Sequence, residues 1–172
     1  MGEQEKQPRP NFIKTVCVMT VLYAVGALVA MLILSPDYSN AIEGAFGVCR
    51  NAFLVSAGFM ALVALVSVVG LWDGDKWGWW LCGFYWSARL VNVLGTLPGY
   101  WGHAATGATL SPIRFITALI WALAILVILF RKEIYVYVRM DRQSRWVSAG
   151  ILLIAATVYP FAIQAATLGL CD

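Results

Sequence analysis

The sequence predicts an all-α fold: a polytopic bundle of five membrane-spanning helices, with the N-terminus inside and the C-terminus outside. Three observations lead there. Apolar residues (AVILMFWYC) make up 61% of the 172-residue chain and charged residues 12%, whereas soluble domains run near 45–50% and about 25%. A soluble chain of this length has too little interior to hide that much apolar surface. The apolar residues also fall into five unbroken runs, each close to the ~20 residues that cross a hydrocarbon core about 30 Å thick. Finally, the basic residues collect in alternate connecting segments.

Residues 1–15 form a polar tail, with Lys6, Arg9, Lys14 and two prolines, Pro8 and Pro10. The first span, 16–34, carries no charge and ends at Ser35-Pro36-Asp37. It is longer than a signal-peptide core and lacks a small-x-small cleavage site, so it reads as an uncleaved span. The second span covers 52–71 and follows Cys49-Arg50-Asn51. The third, 77–97, contains Arg89. The fourth, 113–130, is entered through Ser111-Pro112, and proline suits a helix start. The fifth, 146–170, holds Pro160. Together, 16–170 form a single transmembrane bundle. Barrel strands would alternate apolar and polar residues over about ten positions. These runs are continuous, and in lipid only a helix or a closed barrel satisfies its own backbone.

Basic residues orient the bundle. With the N-terminus cytoplasmic, the inner segments hold Lys6, Arg9, Lys14, Lys76, Arg131, Lys132, Arg139, Arg142 and Arg145, and the outer ones hold Arg50 and Arg114. That imbalance follows the positive-inside pattern. It argues for membrane orientation and against nucleic-acid binding, which the small net charge of +3 also disfavours. The basic inner loop 131–145, "RKEIYVYVRMDRQSR", alternates Ile134, Val136 and Val138 with Tyr135 and Tyr137, so strand periodicity competes with helix. Two roles stand open for Arg131–Arg145: resting on the anionic headgroups of lipids, or docking another membrane subunit.

The third span, which opens on "WGWWLCGFYWSARLVN", is the least ordinary. On a helix, Gly78, Cys82, Tyr85, Arg89, Asn92 and Thr96 share one face, with Trp79, Leu81, Trp86, Leu90 and Leu97 largely elsewhere. Charged residues inside spans usually face the bundle interior or a wet cavity, so Arg89 and Asn92 are expected to look inward. At about 1.5 Å per residue Arg89 sits roughly 12 Å from the outer end, within partial reach of the interface. Its candidate partners are Asp37, Glu43, Asp172, Gln164 and backbone carbonyls loosened by Pro160. Arg50, Asn51, Tyr85, Arg89, Asn92, Tyr159 and Gln164 then define a polar cluster in the outer half. It is either interhelical glue, at about 1 kcal/mol per hydrogen bond, or a pocket for an anionic headgroup, a quinone-like molecule or a small anion. A proton path would call for an acidic residue within a span, and none of the five has one.

Cys49 and Cys171 flank spans on the outer side and pair in a disulfide if that compartment is oxidising. Cys17 and Cys82 read as packing residues. Trp72, Trp77, Trp79 and Trp80 bracket "DGDK" where an inner aromatic belt is expected. His103 lies in an uncharged outer loop and reads as a polar loop residue. The sequence contains no C-x-x-C, G-x-S-x-G, H-E-x-x-H or P-loop pattern, and the expectation is no metal and no cofactor beyond a bound lipid or quinone. Function is then expected to be non-catalytic: a small integral accessory or scaffold subunit of a larger membrane complex, in a bacterial cytoplasmic membrane. The competing expectation is a small transporter or lipid/quinone-binding protein built around Arg89.

Overall fold

The computed structural model describes residues 10–33, 50–95, 112–140 and 144–167, apart from some side chains near helix ends. Every regular element among them is helical. In chain order they are α1 (Asn11–Ile33), α2 (Arg50–Asp73), α3 (Lys76–Gly95), α4 (Pro112–Leu129), the short α5 (Lys132–Tyr137) and α6 (Arg145–Thr167). Three are long and apolar enough to cross a bilayer, over Asn11–Val29, Leu54–Asp73 and Arg145–Ala162, and α4 adds a shorter apolar stretch at Ile116–Leu129. α3 is the least apolar of the five long helices, because it combines Lys76, Arg89 and Asn92 with glycines and tryptophans.

Each helix buries a face that its sequence spacing sets. In α1 it is Ile13, Val16, Cys17, Thr20 and Ala24, a run of three- and four-residue steps. That stripe begins before residue 16, so the polar tail is shorter than the sequence indicated: Asn11 to Lys14 belong to α1, and Ile13 is fully buried. In α2 the buried positions include Met60, Ala64, Ser67 and Leu71, in α4 Ala122, Ile125 and Leu129, and in α6 Ser148, Leu152 and Ala156.

The corner between α2 and α3 shows how backbone chemistry fixes the packing. The Asp75 amide donates to the Gly70 carbonyl (2.9 Å) and the Gly74 amide to the Leu71 carbonyl (3.3 Å). These two bonds satisfy carbonyls that the end of α2 would leave open. The arrangement needs a left-handed residue, and Gly74 supplies it at φ 78°. The chain reverses so sharply that a β-carbon on Gly78 would stand 2.1 Å from the Leu71 nitrogen. Only glycine lets the two backbones meet there.

α3 is the centre of the bundle. It packs against α2, α4 and α6, while α1 packs against α2 and reaches α3 through side chains. Gly78, Trp79, Cys82, Gly83, Tyr85, Trp86, Ser87 and Ala88 are all buried. The expected division into a polar inward stripe and a lipid-facing remainder does not hold. Trp79 and Trp86 are fully buried because neighbours enclose the helix on several sides. Trp79 is therefore not part of an interfacial belt. Trp72, Trp77 and Trp146 do stay exposed.

The segment after α4 is helical, which settles the competition between strand and helix. Ile134, Tyr135 and Val138 are buried, a one-and-three spacing that a helix presents on one side and a strand cannot. Contacts tie α5 to the start of α1 and to the α2–α3 corner: Arg131 lies over the Phe12 ring at 4.6 Å, and the Tyr137 hydroxyl donates to the Trp72 carbonyl at 2.8 Å. These elements form one end of the bundle, here termed the basic end.

Candidate functional site

The polar groups of the interior fall into three places along α3. The first is at the basic end. Trp79 donates its indole N–H to the Leu129 carbonyl at 2.9 Å, filling one of the acceptors that the end of α4 leaves open. Its ring meets Trp80, Phe130 and Tyr135 edge-on, with centroids 5.0 to 5.3 Å apart. Arg145 lies over the Tyr135 ring, 5.5 Å from its centroid. The Tyr135 hydroxyl is buried and has no hydrogen-bond partner among the described residues. Burial pushes its pKa above the ordinary tyrosine value, and the neighbouring Ser148 hydroxyl and Arg145 charge pull the other way.

The second place is the middle, between α1, α2 and α3. Trp86 donates to the Thr20 hydroxyl at 3.0 Å, and Thr20 meets the Cys82 sulfur at 3.9 Å. Ser67 bonds back to the Ala64 carbonyl at 2.7 Å. Cys17 and Cys82 are both buried, and neither forms a disulfide. Buried polar groups need partners, and here helices and side chains supply them internally. Thr20, Ser67 and the two indoles escape a reading of the sequence for charged residues. For Thr20 and Ser67 the signal is the three- and four-residue spacing of small and polar positions in α1 and α2.

The third place is toward the opposite end. Arg89 is half-buried and lies over the Tyr23 ring of α1, 5.2 Å from its centroid. Tyr23 in turn meets Trp86 at 5.3 Å, and Tyr85 packs edge-on against Trp86 at 5.4 Å. The aromatic face attracts the guanidinium by about 0.5–2 kcal/mol, more as water is excluded. Nearby, the Tyr159 hydroxyl of α6 stands 2.8 Å from Ser56 Oγ and donates to the Ser56 carbonyl at 3.2 Å. Its ring stacks on Phe59 and meets Phe84 edge-on. Tyr159 thus links α6 to α2 and α3.

Of the residues the sequence singled out, Arg89 lies against Tyr23 of α1 and Tyr85 is buried against Trp86, which Tyr23 also meets. Asn92 is exposed, contrary to the inward orientation expected of it, since α3 emerges from its neighbours in its last turns. Arg50 and Asn51 open α2, and Gln164 lies in the last turns of α6, so the backbone brings all three to the Arg89 end. Their side chains, and Cys49, Cys171, His103, Asp37, Glu43 and Asp172, lie outside the described residues. Among the described residues no group of three or more His, Cys, Asp or Glu side chains stands ready to hold a metal.

With this geometry in hand, the chain was compared with known proteins. No protein family, curated protein or solved structure matches it. The functional reading therefore rests on the physical chemistry of the chain itself.

Proposed function

We propose that the protein is a five-span integral protein of a bacterial cytoplasmic membrane and acts as a non-catalytic accessory subunit of a larger membrane complex. The basic end faces the cytoplasm. α3 counts as a span despite its modest hydropathy because it is packed from the Gly70–Gly78 crossing at one end to Phe84–Tyr159 toward the other. A helix sheltered by spanning neighbours need not be lipid-soluble on every side. α4 runs antiparallel to it and ends beside Trp79.

One observation carries the subunit reading: the contrast between a largely satisfied interior and an uncovered flank. Apart from the Tyr135 hydroxyl, the buried polar side chains among the described residues bond one another or the backbone, as in Trp86–Thr20, Trp79–Leu129 and Tyr159–Ser56. α6, by contrast, leaves Trp146, Ile151, Ile154, Val158 and Phe161 exposed along its length. Only 17% of its membrane-length window is buried, against 28% in α1 and 39% in α2. That flank is free to meet partner helices. The test is purification in a mild detergent of the intact chain and of an Ile154→Ala, Phe161→Ala variant. The subunit reading expects a defined partner chain to co-purify with the first and to be lost from the second at unchanged thermal stability. A lone, monodisperse protein in both preparations would overturn it.

Arg89 supports a second reading, a small transporter or a lipid- or quinone-binding protein. Its guanidinium is held by an aromatic face, so its hydrogen-bonding edge stays available to a carboxylate, phosphate or quinone oxygen. Under this reading Arg89→Ala abolishes binding of such a ligand and Arg89→Lys retains part of it. Under the subunit reading both variants change stability alone.

A further inference from the structure

We infer that the basic end is a docking surface for anionic phospholipid headgroups, with Arg131, Arg139 and Arg145 as its principal contacts. The inference rests on the membrane-spanning reading but is independent of any partner subunit. Three observations support it. The first is charge: among the described residues, Lys14, Lys76, Arg131, Lys132, Arg139 and Arg145 are all exposed and all belong to this end, against three exposed acids, Asp73, Asp75 and Glu133. Trp72, Trp77 and Trp146 are exposed on the same end. Cationic side chains interleaved with indoles suit the headgroup layer of an anionic leaflet.

The second observation is preorganisation. Arg131 rests on Phe12 and Arg145 on Tyr135. A ring behind an arginine limits its rotamer freedom, so less remains to be lost when a phosphate is bound. The Asp75 carboxylate, the acid nearest the corner, is already engaged by the Trp77 indole at 3.1 Å.

The third is backbone strain at Arg139. α5 ends with the same pair of bonds as α2: the Met140 amide donates to the Tyr135 carbonyl (2.8 Å) and the Arg139 amide to the Val136 carbonyl (3.1 Å). The left-handed position that Gly74 fills at the other corner is occupied here by Arg139, at φ 57°. A side chain there costs about 1 kcal/mol or more. An exposed charge held where glycine would be less strained points to a use for the charge.

The test uses the full-length protein, first inserted into vesicles of phosphatidylcholine alone. Resistance to alkaline extraction there checks the spanning reading without any anionic lipid. Binding of phosphatidylglycerol relative to phosphatidylcholine is then counted by native mass spectrometry from mixed micelles, with inorganic phosphate as a competitor. The proposal expects preferential retention of phosphatidylglycerol, little displacement by phosphate and weakening with salt. Arg139→Gly relieves the strained backbone, so it folds at least as well as the parent, and its preference falls about fivefold, from roughly 1 kcal/mol per basic residue. The triple variant Arg131→Ala, Arg139→Gly, Arg145→Ala loses the preference on the order of a hundredfold at low salt. Equal retention of the two lipids, displacement by phosphate alone, or an unchanged preference in Arg139→Gly and the triple variant would each overturn the headgroup site and leave the spanning reading standing.

Discussion

α3 and α6 are close neighbours with opposite fates. α3 is the least apolar of the long helices and is buried along most of its length; α6 is the least covered of the three membrane-length apolar helices. The difference teaches that hydropathy in this chain does not rank helices by burial. Position in the bundle follows from what a helix offers its neighbours. α3 offers Gly78 and Gly83, where other elements come close, and indoles that fill volume and donate one hydrogen bond each. α6 offers a narrow contact line of Ser148, Leu152, Ala156 and Tyr159 and leaves the rest to its surroundings.

Substitutions along the two helices should reproduce that contrast in thermal unfolding of the purified protein. Gly78→Ala is expected to have the largest effect, about 3 kcal/mol of destabilisation, because the added carbon would meet backbone atoms of Gly70 and Leu71 that cannot step aside. Gly83→Ala is its internal control. There the nearest atom, at 2.7 Å, is the end of the flexible Leu152 side chain, so the cost should be well under half as large. A similar loss at both sites would mean that the crossing is not tight where the geometry says it is.

Trp79→Phe comes next. It keeps most of the ring contacts with Phe130 and Tyr135 but leaves the Leu129 carbonyl without its donor, a loss of about 2 kcal/mol. Smaller and opposite in sign, Tyr135→Phe deletes a buried hydroxyl that no group among the described residues satisfies while preserving the ring under Arg145. Its stability should be unchanged or higher by up to about 1 kcal/mol. A clear loss would reveal a partner for that oxygen. Ile154→Ala, on the uncovered flank of α6, should move stability by no more than about 0.5 kcal/mol, and a drop comparable to a core deletion would place Ile154 inside a packed interface of the isolated chain.

Much of this was legible in the sequence. The long apolar runs mark helices at nearly the observed bounds; of the stripe that spacing places on one face of α3, Gly78, Cys82 and Tyr85 are buried, Arg89 is half-buried and Asn92 is exposed. The gathering of basic residues at 131–145 and near Lys76 foretold that these segments share an end. Other features depended on tertiary arrangement. Trp79 reads as interfacial because tryptophan near a helix end ordinarily is, and Trp86 reads as lipid-facing from its spacing; both are buried because a neighbouring carbonyl or hydroxyl accepts from each indole. Asn92 was misplaced because spacing assigns a face but not the depth to which neighbouring helices cover it. The helical character of Lys132–Tyr137 could not be separated from strand alternation until Ile134, Tyr135 and Val138 had a surface to pack against. Arg139 gave no sign in sequence, since a left-handed arginine looks like any other.

The central claim is that α3 crosses the membrane inside the bundle, despite Arg89. The most direct measurement is labelling of single cysteines at Lys76 and Gly95, both exposed at opposite ends of α3, in sealed, oriented vesicles with the native cysteines replaced by alanine. An impermeant thiol reagent should reach Lys76→Cys from the cytoplasmic side alone and Gly95→Cys from the other side alone. Labelling of both positions from the same side would contradict the account.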